Sequence, residues 1–283
     1  MKKNHFSAIL IFLIVIELFM TSCAFDEERM SYPDYYRAYS EALYRIEWNH
    51  YEIGVSRFDS LIELVPHVPV AHLSRFARIS AKEGDCESAA RFIRLSLENG
   101  WESSNSSPNT PDYGDCDSLI TQILARESEI HQQHFHFYYK GLVDSLYEKD
   151  SRVRNPVDFL LLRATDSVNK KILLRAIQKY GFPGEKTIGT TSARKAYILL
   201  SHMDGDSDYE MIKSILHHAY NQGYLDPFGL AMLIDRRRVF SKKKLEPYYH
   251  QIFTPARNSL SDEQKNTINL RRDSIGLELM IFE

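Results

Sequence analysis

Apolar residues at helical spacing, in a pattern that recurs after 35 residues, leave few folds open to this chain. Helices are predicted from about residue 33 and then over 51–65, 70–82 and 85–98, the last three ending near a proline or a glycine. Equivalent positions in the two copies of the pattern are Ala38 and Leu73, Ala42 and Ala77, Gly54 and Ala89, and Phe58 and Ile93. Small residues allow two helices to approach closely, so the pattern predicts an all-α array of helical hairpins.

This pattern resembles tetratricopeptide repeats, in which a small residue on each helix and an aromatic residue on the second helix carry the packing. A third helical pair, over residues 117–131 and 135–150, is expected to complete the array, because about three repeats are needed for a stable stack. We therefore assign residues 32–140 to tetratricopeptide-like helical repeats. Stacked hairpins form a concave surface, and the resemblance implies a protein or peptide partner on the helical repeats.

Residues 141–283 carry a second resemblance, to the uncharacterised bacterial family called domain of unknown function 6624. The residues that carry it are Asp150 to Arg154, Ala164-Thr165-Asp166, Tyr180-Gly181-Phe182-Pro183, Gly189, Ser201-His202-Met203-Asp204, Leu230 to Arg236, Tyr248 with Gln251, and Arg271 to Leu277. The chain departs from the family pattern at Ser151 and at Tyr249-His250. The resemblance implies a mostly helical domain, often following repeats in exported proteins, and no established reaction.

The N-terminus has the layout of a bacterial lipoprotein signal peptide. Lys2 and Lys3 precede an apolar run over residues 6–16, and Met20-Thr21-Ser22-Cys23 resembles the lipobox, in which the cysteine is acylated. We predict a signal peptide over 1–22 and a lipid anchor on Cys23. The alternative is an uncleaved apolar anchor, although the run is shorter than the roughly 20 residues that span a bilayer.

Acidic residues follow Cys23 directly, at Asp26, Glu27 and Glu28. They resemble the signal that exports lipoproteins of Bacteroidetes-type bacteria to the outer face of the outer membrane; a solvated tether with no sorting role is the alternative. We assign residues 23–31 to an acidic tether and predict a lipid-anchored outer-membrane protein exposed at the cell surface.

Cys86 and Cys116 are the two cysteines outside the lipobox, and an exported protein lies in a compartment where disulfides form. Residues 101–113 between them are rich in Ser, Asn and Pro and predict a long loop. A disulfide that closes this loop and two buried free thiols both remain open, because spacing along a chain does not give the distance between Cα atoms.

Six polar residues within the family-like motifs form the candidate ligand-binding set: His202, Asp204, Asp235, Arg236, Tyr248 and Gln251. A His–Asp pair is suited to acid–base chemistry, and an arginine can orient a polar ligand. The alternative is a buried network in which Asp235 caps a helix or pairs with an arginine and His202 bonds across a helix crossing. No nucleophile motif is present, so no catalytic residue is assigned.

Metal, cofactor and nucleic-acid binding are not expected. His131, His134 and His136 are dense, but no acidic partner completes a zinc motif. Residues 204–208 lack the glycine and glutamate of a calcium loop. The formal net charge is −3, with 35 Lys and Arg against 38 Asp and Glu, which gives no basic surface for nucleic acid.

Two classes of function are consistent with this sequence. The repeat array favours a cell-envelope scaffold that binds a protein or peptide partner, with the lipid anchor holding it to the membrane. The alternative is a small-ligand-binding protein or an enzyme that uses the candidate set around His202. Whether any catalysis exists is left open.

Overall fold

A computed structural model describes residues 29–103, 113–155, 157–203, 209–239, 248–249 and 260–280. These residues form twelve α-helices and one 3-10 turn (Gly114–Cys116) and contain no β-strand, so the fold is all-α, as predicted. The helices are α1 (Tyr32–Glu47), α2 (Tyr51–Leu64), α3 (Val70–Lys82), α4 (Cys86–Glu98), α5 (Asp117–Leu124), α6 (Glu127–His134), α7 (Phe137–Arg154), α8 (Phe159–Tyr180), α9 (Glu185–Ser201), α10 (Tyr209–Asn221), α11 (Pro227–Val239) and α12 (Asp262–Asp273).

Side-chain caps mark the starts of α1 and α4. The Ser31 hydroxyl accepts a hydrogen bond from the N–H of Asp34 at 3.4 Å, and the Asp85 carboxylate accepts one from the N–H of Ser88 at 3.0 Å. After α4, Gly100 takes a φ of +103°, which only glycine adopts readily. Helices α2 to α4 begin and end within one residue of the bounds that the sequence predicts.

Small residues at the repeated positions, together with a cluster of aromatic side chains, pack the two hairpins α1–α2 and α3–α4. A side chain at Gly54 would collide with the carbonyl oxygen of Ala42 and with Ile46, so glycine permits the close approach of α1 and α2. The rings of Phe58 and Phe76 stack with their centroids 3.9 Å apart, and all their surface is buried. This aromatic centre joins the two hairpins into one array.

Cys86, at the start of α4, and Cys116, in the 3-10 turn, form a disulfide with their Cα atoms 5.0 Å apart. The helix predicted over 117–131 is divided into α5 and α6. Neither proline nor glycine lies at the division, and the Glu127 carboxylate at the start of α6 accepts a hydrogen bond from the N–H of Ser103 at 3.0 Å. A tertiary contact therefore accompanies the turn, and local sequence does not predict it.

Helix α9 is interrupted at Gly189, whose φ of +80° is not helical. Beyond it, the N–H of Thr190 donates to the carbonyl of Gly100 at 2.9 Å, and the N–H of Thr191 donates to the Glu102 carboxylate at 2.9 Å. The ammonium of Lys140 lies 2.9 Å from the same carboxylate. Glu102 thus caps the second part of α9 and binds the segment after α4 to the C-terminal half.

Residues 31–283 form one compact unit, in which the two predicted domains are in direct contact. The hydroxyl of Tyr32 lies 3.2 Å from the carbonyl oxygen of Gln222, and the ring of Tyr36 stacks on that of Tyr220 with centroids 6.3 Å apart. One face of α1 is therefore covered by the chain's own C-terminal half. The boundary at residues 140 and 141 stays a prediction, and it falls inside the continuous helix α7.

Three of the predicted site residues, Cys23, Asp204 and Gln251, lie outside the described residues. Among the helices that the structure does describe, none is both long enough and apolar enough to cross a membrane.

Candidate functional site

Four charged or titratable side chains meet where several helices end or cross in the C-terminal half. Asp150 and Arg154 lie one turn apart in the last part of α7, Asp166 lies on α8, and His202 is the first residue after α9. We call these four residues the Asp150 cluster. Its members are up to 52 positions apart in the chain, so the packing of helices α7, α8 and α9 brings them together.

The geometry of the Asp150 cluster is that of a hydrogen-bonded chain centred on one carboxylate. The Nε of Arg154 donates to both oxygens of Asp150, at 3.1 and 3.0 Å, and Nδ1 of His202 lies 3.1 Å from Asp150 Oδ2. The other end of the guanidinium, Nη2 of Arg154, donates to Asp166 at 2.7 Å. Only 2% of the Asp150 side chain is exposed, whereas the other three side chains are partly exposed.

The two carboxylates of the cluster differ in their tendency to ionise. Burial acts to raise the pKa of Asp150, but the hydrogen bonds and charges of His202 and Arg154 outweigh burial and hold the pKa below its ordinary value. For Asp166, burial raises the pKa above its ordinary value, although Arg154 opposes the shift. Asp150 is therefore the ionised anchor of the cluster.

The ionised Asp150 determines which nitrogen of His202 carries the proton. A carboxylate can only accept hydrogen bonds, so Nδ1 of His202 is the protonated nitrogen that donates to it. In the neutral ring, Nε2 then carries the free lone pair. Among the described residues no hydrogen bond is formed to Nε2, and 18% of the His202 side chain is exposed. An imidazole held in this way presents Nε2 as a hydrogen-bond acceptor in a fixed direction.

Two arginines of α11 hold the backbone on either side of His202. The Nε of Arg236 donates to the carbonyl oxygen of Ser201 at 2.7 Å, and Arg237 donates to the carbonyl oxygen of Met203. Of the predicted ligand-binding residues, Arg236 thus contributes by positioning the peptide that carries His202.

Asp235 and Tyr248, two further residues of the predicted set, contact each other and are not part of the Asp150 cluster. Asp235 is completely buried, and one of its oxygens accepts hydrogen bonds from the N–H groups of Tyr248 at 2.5 Å and Tyr249 at 2.8 Å. The guanidinium of Arg271 lies 4.1 Å from the centre of the Tyr248 ring. A buried carboxylate must be paired, and Asp235 is paired with the backbone of residues 248–249. Asp235 therefore holds this segment in place, and the oxygen that does so is already occupied by these hydrogen bonds.

The candidate set included His202 but left out the three residues that surround it. Asp150, Arg154 and Asp166 all lie in motifs that carry the family resemblance, and Asp150 and Arg154 have the spacing of neighbours on one helix face. Their place in these motifs, together with this spacing, could have identified them from the sequence. The sequence does not indicate that α8 and the end of α9 would place Asp166 and His202 beside them.

The histidines after α5 serve the junction of helices. His131 Nε2 lies 2.9 Å from the carbonyl oxygen of Trp101, and His136 accepts the N–H of Tyr139 at 3.3 Å at the start of α7. Within the described ranges, no group of three His, Cys, Asp or Glu side chains is arranged to hold a metal ion.

No family model matches this chain, and neither a curated protein nor a solved structure was found to be similar to it. The resemblances to tetratricopeptide repeats and to the family of unknown function therefore stay predictions, and the functional argument depends on the geometry of the site.

Proposed function

We propose that this protein binds a small polar ligand at the Asp150 cluster, with Nε2 of His202 as the hydrogen-bond acceptor. One observation supports this most strongly: Asp150 orients the imidazole through Nδ1, while Nε2 forms no hydrogen bond with the described residues and the side chain is partly exposed. A purely structural histidine at a helix crossing would be expected to use both nitrogens or to bury the unused one.

The charge of the cluster indicates the kind of ligand. The cluster has two carboxylates and one guanidinium, and the guanidinium is already bonded to both carboxylates. An anionic ligand would compete with these bonds. The lone pair of Nε2 instead suits a ligand that donates a hydrogen bond, such as a hydroxyl group or a bound water molecule.

A screen of hydroxyl-bearing metabolites by thermal shift tests this function. We expect at least one compound to raise the Tm of the wild-type protein and to have no effect on His202→Phe, because phenylalanine keeps a ring but has no hydrogen-bond acceptor. His134→Phe is the matched control, since His134 is exposed on α6, and it should respond as the wild type does. Equal shifts in wild type and His202→Phe would contradict the assignment of the site.

Interaction with a protein partner is the second candidate function, and a different surface supports it. At the start of α8, Val157, Phe159, Leu160 and Leu161 are all exposed, with 85% of Leu160 accessible. Adjacent exposed apolar side chains are typical of an interaction surface. The array itself offers less surface than predicted, because one face of α1 is covered by the C-terminal half. A stoichiometric partner recovered from the cell envelope, with no metabolite shift, would favour this function.

The proposed location is the cell envelope, with the protein held by a lipid on Cys23. The support is the order of the positive residues, the apolar run and the lipobox-like residues before that cysteine. We further propose that the acidic tether directs the protein to the cell surface.

Labelling of growing cells with a radioactive fatty acid tests the anchor. We expect label in the wild-type protein and its complete loss in Cys23→Ala, because the thiol is the acylated group in the proposed scheme. Cys86→Ala is the control and should keep the label. Equal labelling of wild type and Cys23→Ala would refute the anchor, and protection from protease added to intact cells would refute surface exposure.

A further inference from the structure

A separate cavity of about 240 Å³ lies between the start of α3, the start of α9 and the turn that leads into α11. Its volume is slightly below the range of about 300 to 1,000 Å³ that is typical of ligand pockets, so it suits only a small ligand. None of the residues of the Asp150 cluster lines it. The side chains that give it chemical character are Glu185, Arg194, Tyr197, Tyr224 and Asp226.

Glu185 is one of the two carboxylates that line this cavity. Its Oε2 accepts a hydrogen bond from the N–H of Val70 at 3.1 Å, and 30% of the side chain is accessible because it lines the cavity. Asp226, by contrast, is exposed, and its Oδ1 accepts the N–H of Gly229 at 2.5 Å. One cationic side chain, Arg194, lines the cavity and is exposed to solvent.

The protein leaves the negative charge of Glu185 incompletely matched. His67 is a buried imidazole close to it, with Nε2 3.9 Å from Glu185 Oε2, and it does not line the cavity itself. Burial, with the nearby charge of Lys186, lowers the pKa of His67 to about 4, so the ring is neutral at pH 7. A neutral imidazole gives the carboxylate of Glu185 no positive charge to pair with, so a cation in the cavity can pair with the carboxylate instead.

Aromatic rings form part of the wall of the cavity. Tyr224 lies between two other rings, its centroid 5.6 Å from that of His67 and 6.3 Å from that of Phe182, and Tyr197 also lines the space. Ring faces and carboxylates attract the same kind of group, since both present negative charge to it. Neutral polyols would gain less from such a wall than a cation does.

We propose that this cavity is a binding site for a small organic amine, with its ammonium group paired to the carboxylate of Glu185. A bound ammonium supplies the positive charge that neutral His67 does not supply. The tyrosine rings cover the carbon atoms of the ligand, and Asp226 at the mouth attracts a second ammonium group.

Binding is expected to depend on pH through Glu185. Burial raises the pKa of Glu185 to about 7, the N–H of Val70 opposes the shift and the charge of Asp226 adds to it. His67, Lys186 and Arg194 are the other titratable or charged groups around it. Only the ionised carboxylate pairs with an ammonium group, so affinity rises with pH, by about tenfold between pH 6 and pH 8.

Calorimetric titration with 1,4-diaminobutane, and with 1,4-butanediol as its neutral counterpart, tests the proposal on the purified protein. Both amino groups stay protonated from pH 6 to pH 8, so any change in affinity reports on the protein. We expect the diamine to bind at pH 8 and about tenfold more weakly at pH 6, and the diol not to bind. Absence of binding by the diamine, or equal binding of the diol, overturns the proposal.

Two variants assign the binding to this cavity. Glu185→Gln keeps an oxygen for the N–H of Val70, and Asp226→Asn keeps an oxygen for the N–H of Gly229, so each removes charge with little change of shape. Glu185→Gln should lose at least tenfold in affinity at pH 8 together with the pH dependence. Asp226→Asn should lose severalfold, and Glu52→Gln on the exposed face of α2 should bind as the wild type does. Unchanged affinity in both cavity variants refutes the site.

Discussion

Replacement of Asp150 by alanine is expected to lower the free energy of unfolding by about 3 kcal/mol. The carboxylate is almost fully buried and bonds to Arg154 and His202, so its removal leaves a guanidinium and an imidazole without their common partner. The loss is at the lower end of the range for broken buried pairs, because Arg154 keeps its bond to Asp166 and both partners are partly exposed. Urea unfolding followed by circular dichroism measures it.

Glu148→Ala is the matched control for this substitution. Glu148 lies on the same helix, but it is exposed and forms only a 3.7 Å pair with the exposed Arg152, so we expect a change of about 0.5 kcal/mol or less. The pH dependence adds a second check. Because the pKa of Asp150 is lowered by folding, its contribution is present above the ordinary value of 3.8 and is lost as the pH falls through the folded pKa. The difference in unfolding free energy between the wild type and Asp150→Ala should therefore become smaller as the pH falls.

Removal of the disulfide is expected to have a similarly large effect. Cys86 and Cys116 are 30 residues apart. A crosslink that closes a loop of that length lowers the entropy of the unfolded chain and raises its free energy by about 3 to 4 kcal/mol. The double variant Cys86→Ala/Cys116→Ala should lose this amount of unfolding free energy in urea. Alanine is suitable because Cys116 is buried and a serine hydroxyl would add a desolvation cost there.

A reducing agent separates the effect of the crosslink from that of the lost sulfur atoms. Reduced wild type should be as unstable as the double variant, and the reducing agent should not change the double variant further. A double variant as stable as the oxidised wild type would mean that the bridge does not constrain the unfolded chain of this protein. Equal stability of reduced and oxidised wild type would mean the same.

Secondary structure in the first part of the chain could be predicted because local contacts decide it. Asp85 and Gly100 act on the backbone within a few residues of themselves, which explains why α4 begins and ends within one residue of the predicted bounds. The helical hairpins followed from the spacing of small residues, and Gly54 fits between Ala42 and Ile46 as that spacing requires.

The candidate site was predicted only in part, because contacts between distant segments decide it. His202 was identified, but its true partner Asp150 lies 52 residues earlier, and the buried Asp235 serves the backbone of residues 248 and 249. Spacing along the chain gives the motifs that hold such residues. It does not give the crossing of helices that decides which of them touch.

The sequence by itself determined the all-α class, the bounds of the early helices and the residues that allow hairpins to pack, because each depends on interactions over less than about two turns or on a repeated spacing. Only the tertiary structure decided the division of α5 from α6, the break at Gly189 and the meeting of Asp150 with His202. These features are set by contacts between distant segments, such as that of Glu102 with Thr191. Their free energy arises when those segments pack against each other, so no local pattern records it.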